Sequence, residues 1–254
     1  MFLGICIRED GLISISTRPL PGTTRDPLYP DSDGEPIGET DYHVVATIHL
    51  LAALRQWYRQ REDVYVAGDM LLYYEEGNPR ACRGPDVMVC KGVQGKHRRR
   101  SFRTWEEGIA PSVIFEVTSR KTRREDEEEK PRVYAGLGVK ELYLFDPEGE
   151  YLRPRLKGFR LAAGQYQAVA ADAEGKLFSP ELGLGLAVEK DLSRLIDPAT
   201  CLPLQTDEEK DEALRRAAGE ANEARREAEL ERQRSAMLEA ELARLRAARS
   251  SDES

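Results

Sequence analysis

Two short apolar runs in this chain each carry a single acid, and that pairing restricts the available folds more than any other feature. The first is GPDVMVC, where Asp86 follows Pro85; the second is SVIFEVTS, where Glu116 is flanked on both sides by β-formers. Both read as strands, over 85–90 and 112–119. A carboxylate inside such a run is costly to bury without a partner. If the two strands are neighbours with both acids on one face, they form a site for a hard cation, completed by a main-chain carbonyl and waters. A third acid, Asp146 in ELYLFDP, precedes Pro147 and reads instead as a strand-ending turn former.

The surrounding pattern supplies a frame for those strands. Thr40 or Asp41 can cap a helix in which Val44, Ile48, Leu51, Leu54 and Trp57–Tyr58 recur every three or four positions, ending near Arg61. VYVAGDMLLYY (64–74) reads as one strand or a bulged pair broken at Gly68–Asp69. VYAGLGV (133–139) reads as a helix end, and 150–190 alternates strand-like runs with Gly and Pro turns. Strand, crossover helix, strand predicts a mixed α/β fold with a helix across a mixed sheet. Residues 1–26 read as an irregular N-terminal segment, 27–205 as the folded domain.

Composition shifts after Thr206. Residues 207–250 lack proline and are mostly Ala, Glu, Arg and Leu, so 206–254 reads as one long charged helix. Leu214, Ala217, Ala221, Ala224, Ala228, Glu231, Ser235, Leu238, Leu242 and Leu245 follow an alternating 3,4 spacing. That is a coiled-coil seam weakened by its small and polar members, or the face of a solvated single helix.

Residue usage narrows the chemistry. The only histidines are His43, His49 and His97, and cysteines 6, 82, 90 and 201 have no metal-finger spacing. Zinc hydrolases, imidazole-based triads and a disulfide framework are therefore disfavoured, and oxygen ligands suited to Mg2+ or Mn2+ are expected. The net charge of −8 argues against indiscriminate coating of nucleic acid. A local basic patch stands out in KHRRRSFRTW: Lys96, Arg98, Arg99, Arg100 and Arg103, interleaved with Phe102 and Trp105, suit phosphate contact and base stacking or simply a solvated face. No apolar run approaches the roughly 18–20 residues of a membrane span. The opening MFLGICI is short for a signal core and meets Arg8, Glu9 and Asp10, so a cytoplasmic location is expected.

The words ETDYH, GPDVMV, PSVIFEVTSRKTRREDEEEK and VYAGLGVKELYLFDP, in that order across roughly 27–190, resemble the Uma-type restriction endonucleases of the PD-(D/E)XK nuclease superfamily. The resemblance implies a restriction-endonuclease-like mixed sheet flanked by helices, a divalent metal and hydrolysis of DNA phosphodiester bonds. It matches Asp86 to the P-D aspartate and Glu116 to the acid of the E-x-K motif, with the Val117 carbonyl as a further metal ligand. Thr118 stands where the superfamily has lysine. Asp126, Lys130 and Tyr134 reproduce the family's downstream Asp-x-x-x-Lys-x-x-x-Tyr spacing, and Lys130 is favoured over Lys121 for the catalytic cation. Pro131 suits a first helical turn, so the helix is expected to start near Lys130 with Asp126 in the preceding loop. Glu39 and His43 match the family's first-helix word. Glu39 is a water-mediated metal ligand or a helix-start acid; His43 is a supporting residue. A catalytically inactive nucleic-acid-binding or interaction module is the alternative, and a homodimer through the nuclease domain or the 207–250 helix fits either reading.

Overall fold

The computed structural model describes residues 2–7, 13–18, 21, 26, 28–30, 40–118 and 124–252. Its contacts divide the chain into two units, Met1–Leu204 and Gln205–Ser254.

The first unit opens on an antiparallel hairpin of β1 (Phe2–Ile7) and β2 (Ile13–Arg18). Helix α1 (Asp41–Trp57) follows, then β3 (Val64–Gly68), β4 (Leu72–Tyr73), β5 (Cys82–Arg83), β6 (Val87–Lys91) and β7 (Phe102–Arg103). Next come the short α2 (Thr104–Glu107), β8 (Val113–Val117), a π-helical turn (Glu125–Glu129), α3 (Lys130–Gly136) and β9 (Glu141–Phe145). β10 (Leu156–Ala162), β11 (Gln165–Ala168), β12 (Leu177–Ser179), β13 (Leu184–Glu189), β14 (Leu192–Asp197) and β15 (Leu202–Pro203) complete it.

Six strands form the central sheet in the order β11-β10-β9-β8-β6-β3. Within this sheet only β8 and β9 pair parallel, and α3 lies in the crossover such a pair requires. The result is a mixed α/β fold. All five positions of β8 and of β9 are buried, because alternate side chains enter two separate cores. Val87, Val113, Phe115 and Tyr143 join the core shared with α1 and with Leu184 and Leu195. Met88, Ile114, Leu142 and Leu144 join the core capped by Tyr134. Each fully buried side chain of this size contributes about 1.5–3 kcal/mol.

Two expectations are corrected. Helix α1 is capped as expected, Thr40 Oγ1 accepting the His43 N–H, but it ends at Trp57, and the first two members of the expected apolar stripe face outward. His43, Ala46, His49, Leu50, Ala53 and Leu54 point inward, while Val44 and Ile48 are exposed. The helix lies so close to β3 that a Cβ on Gly68 would sit 2.9 Å from Leu51. Leu54 and Tyr58 of the expected stripe are in the core with Ala46 and Ala53, and Leu51 and Trp57 pack against it. The segment 1–26, expected to be irregular, contains the β1–β2 hairpin; Ile13-Ser14-Ile15-Ser16 carries the period-2 signal for it.

The second unit is helix α4 (Asp207–Asp252). Its start is a capping box: Glu209 N–H donates to Thr206 Oγ1 at 3.0 Å, and Thr206 N–H donates to Glu209 Oε2 at 2.7 Å. Among the described residues no helix is long and apolar enough to cross a membrane.

Candidate functional site

The site is built where antiparallel β6 begins and β8 ends. Their register runs through Val87↔Phe115, so Asp86, one residue before β6, meets the end of β8 that carries Glu116 and Val117. Asp86 Oδ2 accepts the Val117 N–H at 2.7 Å. His43, at the start of α1, places Nε2 3.3 Å from Asp86 Oδ1. Glu116 is two residues beyond Ile114 and shares its face, toward α3.

On that side the π-helical turn and α3 bring three further groups inward. Proline at 131 has no N–H to donate, and the Lys130 N–H bonds instead to the Glu125 carbonyl, five residues back. The expected loop around Asp126 is thus a wide helical turn. Asp126 is buried, and its Oδ1 lies 2.8 Å from Lys130 Nζ. Lys130 Nζ donates to Glu116 Oε2 at 2.7 Å, and Tyr134 OH donates to Glu116 Oε1 at 2.6 Å. Four-residue steps set Asp126, Lys130 and Tyr134 on one side of the segment despite the change of helical type.

Charge in this cluster is unbalanced. Glu116 is fully buried; Asp86 and Asp126 are nearly so, against the one ammonium of Lys130. Burial pushes the Glu116 carboxyl well above the usual carboxylate range; Lys130 opposes that shift while Asp86 and Asp126 add to it. Burial works against the Lys130 ammonium as well, but Glu116, Asp126 and Asp86 outweigh it and raise its pKa, so lysine stays charged. Tyr134 is raised by burial and by Glu116 and remains a neutral donor.

The donor set fits a hard divalent cation in type and in charge. With all three carboxylates ionised the excess over the one ammonium would be −2, which such an ion would cancel; the raised Glu116 pKa reflects the cost of holding that charge without one. Among the described residues, no three His, Cys, Asp or Glu side chains form a ready cage. An ion would draw on two carboxylates, a main-chain carbonyl and water.

The structure thus brings together Asp86, Glu116, Val117, Lys130, Asp126, Tyr134 and His43. Glu39 and Lys121 lie outside the described residues. Thr118 is buried, its Oγ1 donating to the Phe145 carbonyl and accepting from Tyr151 OH at 2.7 Å, so its position supplies no cation. The Tyr151 contact has no sequence signal, because it depends on the turn after β9. That turn is organised by Asp146, which accepts the N–H groups of Gly149, Tyr151 and Leu152. Glu141, unremarked in the sequence, is a further buried acid. It accepts from Tyr143 OH and Ser179 Oγ and so links β9 to β12.

The basic loop divides by role. Arg99 is buried, forks onto Glu107 at 2.5 and 3.0 Å, and lies over the Tyr65 ring. Arg103 is buried against Glu106 and Tyr29. Phe102 is fully buried and Trp105 packs on Tyr29. Lys96 Nζ donates to the Tyr58 and Arg59 carbonyls at the end of α1. Arg98 and Arg100 are exposed. Beside them a cleft of about 400 Å³ gathers Arg55, Arg59, Lys96 and Arg98, with no acid in its lining.

A family model for Uma2, described as "Putative restriction endonuclease", matches residues 18–193. Among solved structures, the crystal structure of "a putative nuclease belonging to DUF820" from Anabaena variabilis is similar at 13% identity and a TM-score of 0.43. That similarity covers 59% of this chain and 80% of the other. No curated protein matches the chain.

Proposed function

This chain belongs to the Uma2 family, and from that premise we propose that it is a divalent-metal-dependent endonuclease hydrolysing DNA phosphodiester bonds at the Asp86–Glu116–Lys130 cluster. The observation that carries the reading is the Lys130 ammonium, held 2.7 Å from Glu116 and 2.8 Å from Asp126, while Thr118 occupies the usual lysine position. The family's nuclease chemistry needs a cation beside its acids, and the wide turn supplies one from a different element.

Asp86, Glu116 and the Val117 carbonyl would hold Mg2+ or Mn2+, with Glu39 a further candidate through water. When bound, such an ion polarises the scissile phosphate and makes water more acidic. Lys130 orients the attacking water and offsets the negative charge that develops on the phosphoryl oxygens. Asp126 aims Lys130, Tyr134 aims Glu116, and His43 steadies Asp86. The Val117 N–H, donating to Asp86 Oδ2, directs that carboxylate.

Recognition of DNA is assigned to cations away from the cluster. Arg55 lies twelve residues beyond His43 on α1, about 18 Å along the helix axis. The Arg55–Arg59–Lys96–Arg98 cleft suits backbone phosphates at that remove. Arg100 extends the same reading; Arg99 and Arg103 shape the loop from within.

Magnesium-dependent nicking of supercoiled plasmid by the wild type, lost in Glu116→Ala, tests the proposal. Equal activity in the two proteins, or none in the wild type on several DNA forms, removes it. One observation favours a second reading, a nucleic-acid-binding module without turnover: both Glu116 oxygens already accept internal hydrogen bonds. DNA binding that survives Glu116→Ala, with no cleavage by the wild type, selects that reading.

A further inference from the structure

Helix α4 spans 46 residues, about 69 Å, and Leu214, Leu238 and Leu242 stand exposed along it. Taking Leu214 as heptad position a puts Ala217, Ala224, Glu231 and Leu238 at d, and Ala221, Ala228, Ser235 and Leu242 at a. The flanking rows then fall into an ordered set of charges. Position g holds Glu220, Glu227, Arg234 and Glu241; position e holds Arg225, Arg232 and Glu239. All of these residues are exposed.

In a parallel, in-register pair, each g residue faces the e residue five positions later on the partner helix. Glu220 then meets Arg225, Glu227 meets Arg232, and Arg234 meets Glu239. Every such pair is of opposite sign, including the one whose polarity is reversed. An antiparallel pair instead sets g against g and e against e. With g mostly glutamate and e mostly arginine, that arrangement confronts like charges. We propose that α4 is a homodimerisation arm whose occupant is a second copy of this chain, parallel and in register.

Glu231 agrees with this arrangement. At a d position of a parallel pair it packs beside Arg232 of the other helix, the e residue of its own layer. A polar core residue weakens association and penalises slipped registers, where it would meet an apolar layer. The arm is therefore weak and specific. Parallel pairing also tethers two copies of the 1–204 unit to the same end of the coil, independently of what that unit does to DNA.

The test uses the full chain and two charge variants. The wild type should sediment at twice the chain mass at concentrations up to about 100 µM. Arg225→Glu combined with Arg232→Glu turns four attractive contacts of the pair into repulsions, which should weaken self-association by about a hundredfold. Glu220→Arg combined with Glu227→Arg should do the same. Mixing the two variants should restore a dimer of one copy of each. Oxidation should cross-link Ser235→Cys in a Cys201→Ser background, because an in-register pair places position 235 against itself. A monomeric wild type over that range overturns the proposal. So does a dimer untouched by either charge variant, or a variant mixture that stays monomeric. Charge sensitivity without cross-linking at position 235 overturns the parallel register.

Discussion

Asp86 and Val117 are joined by one hydrogen bond, the carboxylate Oδ2 accepting the amide proton at 2.7 Å. Through it the backbone that presents Glu116 also aims Asp86, so the placement of one acid is tied to that of the other. The bond is charge-assisted and of the stronger class.

That bond separates a structural from an electrostatic role for Asp86. In Asp86→Asn the amide oxygen still accepts the Val117 proton, and folding stability should change by about 1 kcal/mol or less. The negative charge, however, is gone. Mn2+ at about 100 times its Kd should stabilise the wild type by about 2.7 kcal/mol and Asp86→Asn by much less. Thermal unfolding with and without Mn2+ reads the difference, and equal stabilisation of both proteins would count against the metal site.

Lys130 should show a double penalty. Lys130→Met removes the cation from between Glu116 and Asp126 and leaves both carboxylates buried. We expect a loss of about 3–5 kcal/mol in urea unfolding and of at least about a hundredfold in cleavage. Adding Glu116→Gln should return part of the stability and none of the activity. If the double variant is no more stable than Lys130→Met, the two groups are not coupled as their 2.7 Å contact indicates.

Neighbouring arginines of the basic loop should fail in opposite ways. Arg99→Ala breaks a buried fork onto Glu107 and a contact with Tyr65, at a cost of about 3–5 kcal/mol in stability. Arg98→Ala should leave stability unchanged and lower the salt slope of DNA binding by about one. Titrating binding against salt for the two proteins would expose a misassignment if their slopes fell equally.

Alkaline pH should unfold the first unit through its tyrosines. Burial pushes Tyr58 up to about 12 from its ordinary 10.0; Arg61 opposes the shift, and Glu181 and Glu141 add to it. The folded state thus keeps a proton that the unfolded state releases. The contribution is complete below pH 10.0 and is lost as pH climbs toward about 12. Tyr58→Phe forfeits the hydrogen bond to the Leu182 carbonyl, about 1 kcal/mol, yet its urea midpoint should fall less steeply above that pH. Parallel curves for the two proteins would refute the assignment.

Much of this architecture was legible because β-strands announce themselves by period and α4 by composition. GPDVMVC and SVIFEVTS gave neighbouring strands, and the break at Gly68–Asp69 falls where β3 ends, Asp69 taking a φ of 52°. The inward face of α1 was legible only in part. Leu54 and Tyr58 of its apolar stripe are buried, but the face also takes in Ala46, Ala53 and two histidines while Val44 and Ile48 stay exposed. Nor could the sequence apportion the basic loop: Arg98 and Arg99 are adjacent and chemically identical, and only the position of Glu107 on α2 separates exposed from buried. The wide turn at Glu125–Glu129 was hidden because proline at 131 is equally compatible with a fresh helix start.

That turn acts as a shim. With five residues per closure in place of four, it sets the angular phase at which the segment enters α3. Replacing Pro131 with alanine would restore the missing donor and let the segment wind into an ordinary helix. An ordinary helix would keep Asp126 and Lys130 on one face but turn both relative to the strand that carries Glu116, so improved helicity and impaired catalysis would arrive together.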